Sequence, residues 1–408
     1  MKKQKFYIFP HIYYSKNSDN EILLYNTQNG NHLIFKSLEL KNIIDSIYAP
    51  ENLGVIDLSN RILCDEKIRN FVETIIEKGF GKTVEINDDR KLVNLLPILN
   101  LQDDIERLKL DNEHEAGENA ICYLNELNIY INNVCKLNCA FCNLYSMQTK
   151  SCFKNENNVV FPIKKLKEIF DSLQYTQLKN VNILGGNIFL YPHFNELLEL
   201  TKNYDFSFHF WVHIFNAAGN EKLLSFHFQE IIITFPIDKE KIINFARLQK
   251  DNDKITYHFL IENDMQYIET ENIINEASIK NFQIAPIFTG INLSFFQNNI
   301  YLSNEDILGS VVSQRIIFCN QKLNSNFFGK LYILPDGNVR ANLNAKFLGN
   351  IFENSVIELI AKELTENTVW RKTRNEKPCS DCLYQFICPP PSNYEIAIDK
   401  PNLCNVKK

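Results

Sequence analysis

Cys135, Cys139 and Cys142 stand in the run Cys-Lys-Leu-Asn-Cys-Ala-Phe-Cys, three thiols within eight residues. That spacing suits cluster iron better than a disulfide. Three thiolates in so tight a loop can face three irons of a 4Fe-4S cube and leave the fourth without a protein ligand, whereas an electron-transfer cluster takes four cysteines. An open iron is a place for a small molecule to bind and react. Near the other end, Cys379 and Cys382 form a CxxC pair, followed by Cys388 after five residues and Cys404 after fifteen more. Four thiols at that spacing saturate either a 4Fe-4S cluster or a tetrahedral zinc ion, and the spacing leaves both open. The eight histidines form no HxxH or HExxH pair, which argues against a histidine-based metal site. Cys64, Cys122 and Cys152 have no motif around them and read as small apolar residues.

The elements that must position these thiols follow from hydrophobic patterning. From Ile121 onward, apolar β-rich runs alternate with helical patterns, the mark of a parallel sheet built from βα units. Six runs are expected as strands: Leu127 to Val134, Val181 to Leu184, Phe206 to Phe215, Glu230 to Phe235, Ile255 to Ile261 and Phe282 to Phe288. The intervening helices are expected near Ile163 to Leu178, His193 to Asn203, Glu221 to Phe226, Lys239 to Lys250 and Tyr267 to Ala277. Ligands of such folds gather at the carboxyl ends of the strands, and the three-cysteine loop follows the first strand directly. The second run continues into Leu-Gly-Gly-Asn, where Gly185 and Gly186 let backbone approach a ligand closely.

Ahead of this segment, Phe6 to Tyr14, Glu21 to Tyr25 and His32 to Phe35 read as strands, the last two joined through the hairpin signal Asn29-Gly30. Two helical patterns follow. The second sets Ile68, Phe71, Val72, Ile75 and Ile76 on one stripe and stops at Gly79. Residues 83 to 120 read as a connector without chemistry, including Pro97 and an amphipathic stretch from Asp103 to Leu110.

The chain of 408 residues has room for two or three domains. Its formal charge of -6 arises from 49 acidic and 43 basic residues spread along its length, and Lys164, Lys165 and Lys167 read as one solvated helix face. No nucleic-acid groove and no membrane partner are expected. The opening Met-Lys-Lys-Gln-Lys precedes too short an apolar run for a signal sequence, and no run has the length of a bilayer-spanning helix. A cytoplasmic protein is expected, in which cysteines serve more naturally as metal ligands, buried residues or catalysts than as disulfides.

The three-cysteine run, with the aromatic Phe141 before its last thiol, resembles the signature of radical S-adenosylmethionine (SAM) enzymes. The resemblance implies a partial (β/α)6 barrel over residues 121–290 in an α/β protein. It further implies that SAM binds the open iron of a 4Fe-4S cluster and is cleaved to a 5′-deoxyadenosyl radical, with Phe141, Gly185, Gly186, Asn187 and Asn263 lining the nucleotide site. Family members carry Gly-Gly-Glu-Pro after the second strand, and here Asn187 replaces the carboxylate that helps hold the SAM amino group. A charge-assisted bond of roughly 1.5 to 3 kcal/mol is thereby weakened toward a neutral one of about 1 kcal/mol. The fourth run ends in Thr234-Phe235-Pro236 instead of a serine-containing turn, and the fifth has no arginine.

Residues 291–408 resemble the SPASM extension of peptide-modifying radical SAM enzymes, through the turn Leu334-Pro335-Asp336-Gly337-Asn338-Val339, the run Leu348 to Ile351, and the last four thiols. That extension implies two auxiliary clusters. The one at Cys379, Cys382, Cys388 and Cys404 is complete. The other retains only Cys319, with Asn342 and Ser392 where thiols are expected, so a single auxiliary 4Fe-4S cluster is predicted. Residues 1–82 are similar to the winged-helix-like α+β domain that recognises leader peptides, which implies a ribosomally made precursor peptide as partner. Packing or dimerisation is the plainer role for that domain.

The chain is also similar, in Tyr130-Ile-Asn-Asn-Val-Cys135 and Cys388-Pro-Pro-Pro-Ser-Asn-Tyr-Glu395, to the pseudo-radical-SAM companions of Bacteroidetes peptide-maturation systems. Such a companion binds peptide or a second radical SAM maturase and leaves catalysis to that partner. Three readings therefore stand: a peptide-modifying radical SAM enzyme, a catalytically weak or inactive companion, and a structural zinc protein. The last accounts for four thiols but not for the first three.

Overall fold

The computed structural model describes residues 3–58, 65–86, 93–94, 120–137, 139, 142–154, 157–220, 227–367 and 369–406. Phe141, Cys64, Pro97, the stretch Asp103 to Leu110 and the expected helix at 221–226 lie outside the described residues. Among the described residues, no helix is long and apolar enough to cross a membrane.

The N-terminal part folds as two three-stranded antiparallel sheets. One has the order β5 (Val55–Leu58), β1 (Lys3–Ile8), β6 (Gly81–Ile86); the other runs β2 (Ile12–Lys16), β3 (Glu21–Asn26), β4 (His32–Lys36). The run expected as one strand from Phe6 to Tyr14 is two strands in different sheets. Pro10 sits at the break, because its ring removes an N–H and interrupts a ladder. The helices Leu38–Tyr48 and Glu66–Glu77 pack here over Phe6, Ile8, Ile22 and Leu24. Ser37 and Asp65 cap them by accepting backbone N–H bonds. Ile76, expected on the buried stripe, is 38% exposed. β6 carries this unit to residue 86, past the boundary expected at 82.

Among the described residues, the main sheet has nine strands in the order β12-β11-β10-β9-β8-β7-β13-β14-β15. Six of them are the expected runs: β7 (Glu126–Tyr130), β8 (Asn180–Leu184), β9 (Ser207–His213), β10 (Phe228–Thr234), β11 (Ile255–Ile261) and β12 (Phe282–Pro286). Each pairs with the next in parallel. Helices Ile163–Leu173, Phe194–Thr201, Lys239–Leu248 and Asp264–Ala277 alternate with them, and the side chains between sheet and helices form the largest core. The alternate strand positions carry Tyr130, Leu184, Trp211, Ile232 and Leu260, which with Ile287 just past β12 make a second cluster on the other face.

β13 (Lys330–Ile333), β14 (Asn338–Arg340) and β15 (Gly349–Asn350) extend this sheet. The Pro335-Asp336-Gly337 turn joins β13 to β14 as expected, with Gly337 at φ +84°. β13 lies parallel to β7, pairing Lys330 to Ile333 with Glu126 to Ile129. The C-terminal segment is thus continuous with the sheet that bears the first cysteines.

Candidate functional site

β7 ends at Tyr130, four residues before the expected limit; Ile131 N–H still donates to Leu184 O at 2.9 Å and Asn132 bridges to Val160, and the chain then carries Cys135 past the carboxyl edge of the sheet. The turn after β8 holds this segment. Gly186 N–H donates to the Asn132 main-chain carbonyl (3.1 Å) and side-chain carbonyl (3.0 Å), and Asn187 N–H donates to Val134 O at 2.6 Å. Asn132 Nδ2 returns a bond to Asn187 O at 2.9 Å. A Cβ at Gly186 would meet Val134 O at 2.3 Å, and one at Gly185 would meet Asn132 Oδ1 at 2.8 Å. The space left by the missing side chains is taken by the backbone leading into the cysteine loop.

Cys135, Cys139 and Cys142 converge there. Burial, and then Cys139 and Cys135, push the Cys142 thiol up to about 11 against the pull of the Lys154 N–H and ammonium. Cys139 is raised by burial and then by Cys135, against a hydrogen bond with the Thr234 side chain. Leu137 N–H donates to Cys135 Sγ at 3.4 Å, and Asn216 Nδ2 lies 4.0 Å from the same sulfur. Among the described residues, no three His, Cys, Asp or Glu side chains gather around a single metal-ion position. Three mutually interacting thiols ringed by N–H and O–H donors fit a cluster, whose irons are ligated one thiolate each.

Asn187 Oδ1 accepts the Phe189 N–H at 3.1 Å, so its side-chain carbonyl already caps a turn. Asn263 is exposed after β11 and caps the helix Asp264–Ala277 by accepting the Gln266 N–H at 3.0 Å. The neighbouring Glu262 was not anticipated: Tyr145, three residues after Cys142, donates its hydroxyl to Glu262 Oε1 at 2.6 Å. An acid at the carboxyl end of the fifth strand was the available signal.

Deeper on the same face, Glu230 bonds His209 Nδ1 at 2.7 Å and His258 Nε2 at 2.6 Å. Burial pushes this carboxyl up, but the two imidazole bonds and charges outweigh it and hold it near about 2. Trp211 Nε1 donates to Asn182 Oδ1 (2.8 Å), and Asn182 Nδ2 to Asn128 Oδ1 (2.9 Å). The hydrogen bonds thus form two polar groups, His209-Glu230-His258 over β9 to β11 and Asn128-Asn182-Trp211 over β7 to β9, which touch through the Trp211 and His258 rings 4.5 Å apart. Their signal was a polar residue at a period-two position in each of five otherwise apolar runs.

At the C-terminal site, Cys379, Cys382, Cys388 and Cys404 line one pocket together with Arg374, Leu302, Ile307 and Leu403. Arg374 Nη1 lies 3.7 Å from Cys379 Sγ and 2.8 Å from Glu395 Oε1, while Nε donates to Pro389 O at 2.6 Å. Asn402 Nδ2 donates to Cys404 Sγ at 2.8 Å. Burial, with the other three thiols adding to it and Arg374 opposing, pushes the Cys388 thiol up to about 12. All four thiols therefore line one pocket beside a buried cation, and a cation there suits a group carrying thiolate charge.

Cys319 lies half-buried on the helix Gln314–Lys322. Asn342 is buried and hydrogen-bonded to Asn393, and Ser392 caps the helix Asn393–Ile398. An amide network and a cap thus occupy the two positions where thiols were expected. Cys122, expected as a small buried residue, is exposed in the 3-10 turn Ile121–Tyr123.

Fold and site together define a mixed α/β protein with a large parallel sheet and a cysteine loop at its carboxyl edge. No family model matches the chain, and no curated protein matches it in sequence. Among solved structures it is similar to Streptococcus suis SuiB bound to S-adenosylmethionine, at 14% identity and a TM-score of 0.51 over 98% of this chain and 99% of that one. It also aligns with Streptococcus suis SuiB bound to precursor peptide SuiA, at 15% identity and a TM-score of 0.49 over 99% of this chain and 98% of that one. The SAM-bound structure establishes the shared fold.

Proposed function

We propose that this chain is a radical SAM/SPASM-type protein that acts in the modification of a ribosomally made precursor peptide. The observation that carries the reading is the convergence of Cys135, Cys139 and Cys142 at the carboxyl edge of six parallel strands, pinned by the Gly185-Gly186 turn. Helices that cover one face of those strands support a partial (β/α)6 barrel. SAM bound to SuiB, on the same fold, supports SAM as the small molecule.

In this reading Cys135, Cys139 and Cys142 hold a SAM-binding 4Fe-4S cluster, and Cys379, Cys382, Cys388 and Cys404 hold one auxiliary cluster. When bound, the first cluster supplies the electron that cleaves SAM. The protein's residues position and exclude. Asn132 and the two glycines fix the loop, Tyr145 orients Glu262 at the mouth, and Tyr130, Leu184, Trp211 and Leu260 form a floor that keeps water away from the reacting face.

Asn187 favours a second reading, the weak or inactive companion. It lacks the charge of the family carboxylate, and its carbonyl is engaged with Phe189. Anaerobic reconstitution separates the readings. The enzyme is expected to bind about eight irons per chain and to release 5′-deoxyadenosine from SAM with a strong reductant, both lowered by combined Cys135→Ala, Cys139→Ala and Cys142→Ala. Iron without cleavage supports the companion acting with a second maturase. Zinc in place of iron overturns both cluster assignments.

A further inference from the structure

Part of the surface on which the N-terminal sheets rest lies inside the second thiol site. Leu383, Tyr384 and Ile387 fall between Cys382 and Cys388, and they share one core with Leu23 and Tyr25 of β3. Cys382 and Cys388 themselves pack against that core. One residue ahead of Cys382, Asp381 accepts the Ser18 N–H at 2.7 Å and the Ser18 hydroxyl, both from the turn between β2 and β3.

The segment 302–322 ties the other two sides of the site to the same sheet. Leu302 N–H donates to Leu403 O at 3.1 Å and Asn405 N–H to Leu302 O at 2.8 Å, which fixes Cys404 between them. Asn320, buried on the helix Gln314–Lys322, donates to the Phe386 and Cys388 carbonyls at 3.0 and 3.1 Å. The same segment meets the sheet directly: Val312 N–H donates to the Tyr25 hydroxyl at 2.9 Å, and Gln314 Nε2 to Pro10 O at 2.6 Å.

The thiol-bearing segment has little regular structure of its own. Between Lys372 and Val406 the described residues form a three-residue 3-10 turn, Cys379–Asp381, and a six-residue helix, Asn393–Ile398. A segment with so few ladder hydrogen bonds takes its shape from what cross-links it, and at a four-thiolate site the free energy of metal binding is free energy of folding. The depleted site shows the contrast. Asn342 and Ser392, which stand where its thiols were expected, bond Asn393, Asn344 and Glu395. The complete set of four is the one built into the seat of the N-terminal sheets.

We infer that the metal group at Cys379, Cys382, Cys388 and Cys404 is the joint that docks the N-terminal sheets. Loaded, it sets residues 382–388 in the shape on which β3 packs; empty, it releases the β2-β3-β4 sheet. This rests on the reading in which those four thiols hold a cluster. It gives that cluster a structural task that needs no electron transfer. A peptide held by the N-terminal sheets would then be presented to the barrel only while the site is loaded.

The test uses the full chain, reconstituted anaerobically, with metal analysis and hydrogen exchange read by mass spectrometry. Combined Cys379→Ala and Cys382→Ala should lower the iron by about half. Amides of β2 and β3 should then exchange about tenfold faster than in the wild type, while those of β8 to β10 keep their wild-type rates. Unchanged exchange at β2 and β3 despite the lost iron overturns the inference and leaves the cluster reading standing. Iron that does not fall in this variant overturns the cluster reading, and the inference with it. If protection is lost from β8 to β10 as well, the reverse experiment decides, in the Cys135, Cys139, Cys142 triple alanine chain, where the second cluster alone remains. Ser18→Ala with Tyr25→Phe removes the sheet's bonds to Asp381 and Val312 while keeping the ring in the core, and should speed extraction of that cluster's iron by a chelator about fivefold. Extraction at the unchanged rate overturns the inference.

Discussion

The loop of Cys135, Cys139 and Cys142 is held mainly by main-chain groups with the amide of Asn132, whereas at Cys379, Cys382, Cys388 and Cys404 the thiols lie against side chains. The first loop follows a parallel strand and is tied to the next strand's turn through Asn132, Val134, Gly186 and Asn187. The second lies in irregular structure beside the buried Arg374–Glu395 pair. Its CxxC knuckle is also gripped from the N-terminal sheets: Asp381 accepts the Ser18 N–H at 2.7 Å and the Ser18 hydroxyl. Leu23 and Tyr25 of β3 share a core with Leu383, Tyr384 and Ile387. A backbone-built site keeps its geometry while neighbouring side chains drift, so intact cysteines beside Asn187 are physically compatible. A side-chain-built site fails when one partner is lost.

The largest expected effect is therefore at the second site. Glu395→Ala would leave Arg374, only 8% exposed, as an unpaired buried cation, at a cost of about 3–5 kcal/mol. Chemical denaturation should show that loss, and reconstitution should recover roughly half the iron, with the first cluster's spectrum unchanged. Full iron content and unchanged stability would show that the ion pair does not hold this site.

Gly186→Ala should do the reverse. Its Cβ must push Val134, at the doorstep of Cys135, and overpacking of this kind costs about 1–3 kcal/mol. The expected outcome is loss of the first cluster's signal with the second retained. Loss of both clusters would mean that the two sites are not held independently.

The contrast also explains what was legible in the residues. The six parallel strands were readable because each is an apolar run whose period and length are local properties, and β11 falls at Ile255–Ile261 as expected. The pairing of β13 with β7 joins segments about two hundred residues apart, and no local pattern encodes a partner. The split of Phe6 to Tyr14 into two sheets had a local cue in Pro10, which went unused. The grouping of both cysteine sets was legible because spacing is itself a sequence property. Glu262 and the Glu230 network were not, since each acquires its neighbours only when strands and loops assemble.

The smallest effect separates two roles for one side chain. Asn187→Glu restores the family carboxylate, and a charge-assisted bond in place of a neutral one should tighten SAM by about tenfold, roughly 1.4 kcal/mol. The substitution also removes an amide that caps Phe189, at a cost of about 0.5–2 kcal/mol in stability. Titration of the reconstituted chain with SAM, alongside its thermal unfolding, reads both. Tighter binding with a small drop in melting temperature places residue 187 against the nucleotide. A drop in stability with unchanged affinity makes it a turn cap alone, and the backbone that fixes the cysteine loop would then be its whole contribution to the site. Because Asn187 N–H bonds Val134 O whichever side chain is present, the cluster signal should survive in either case.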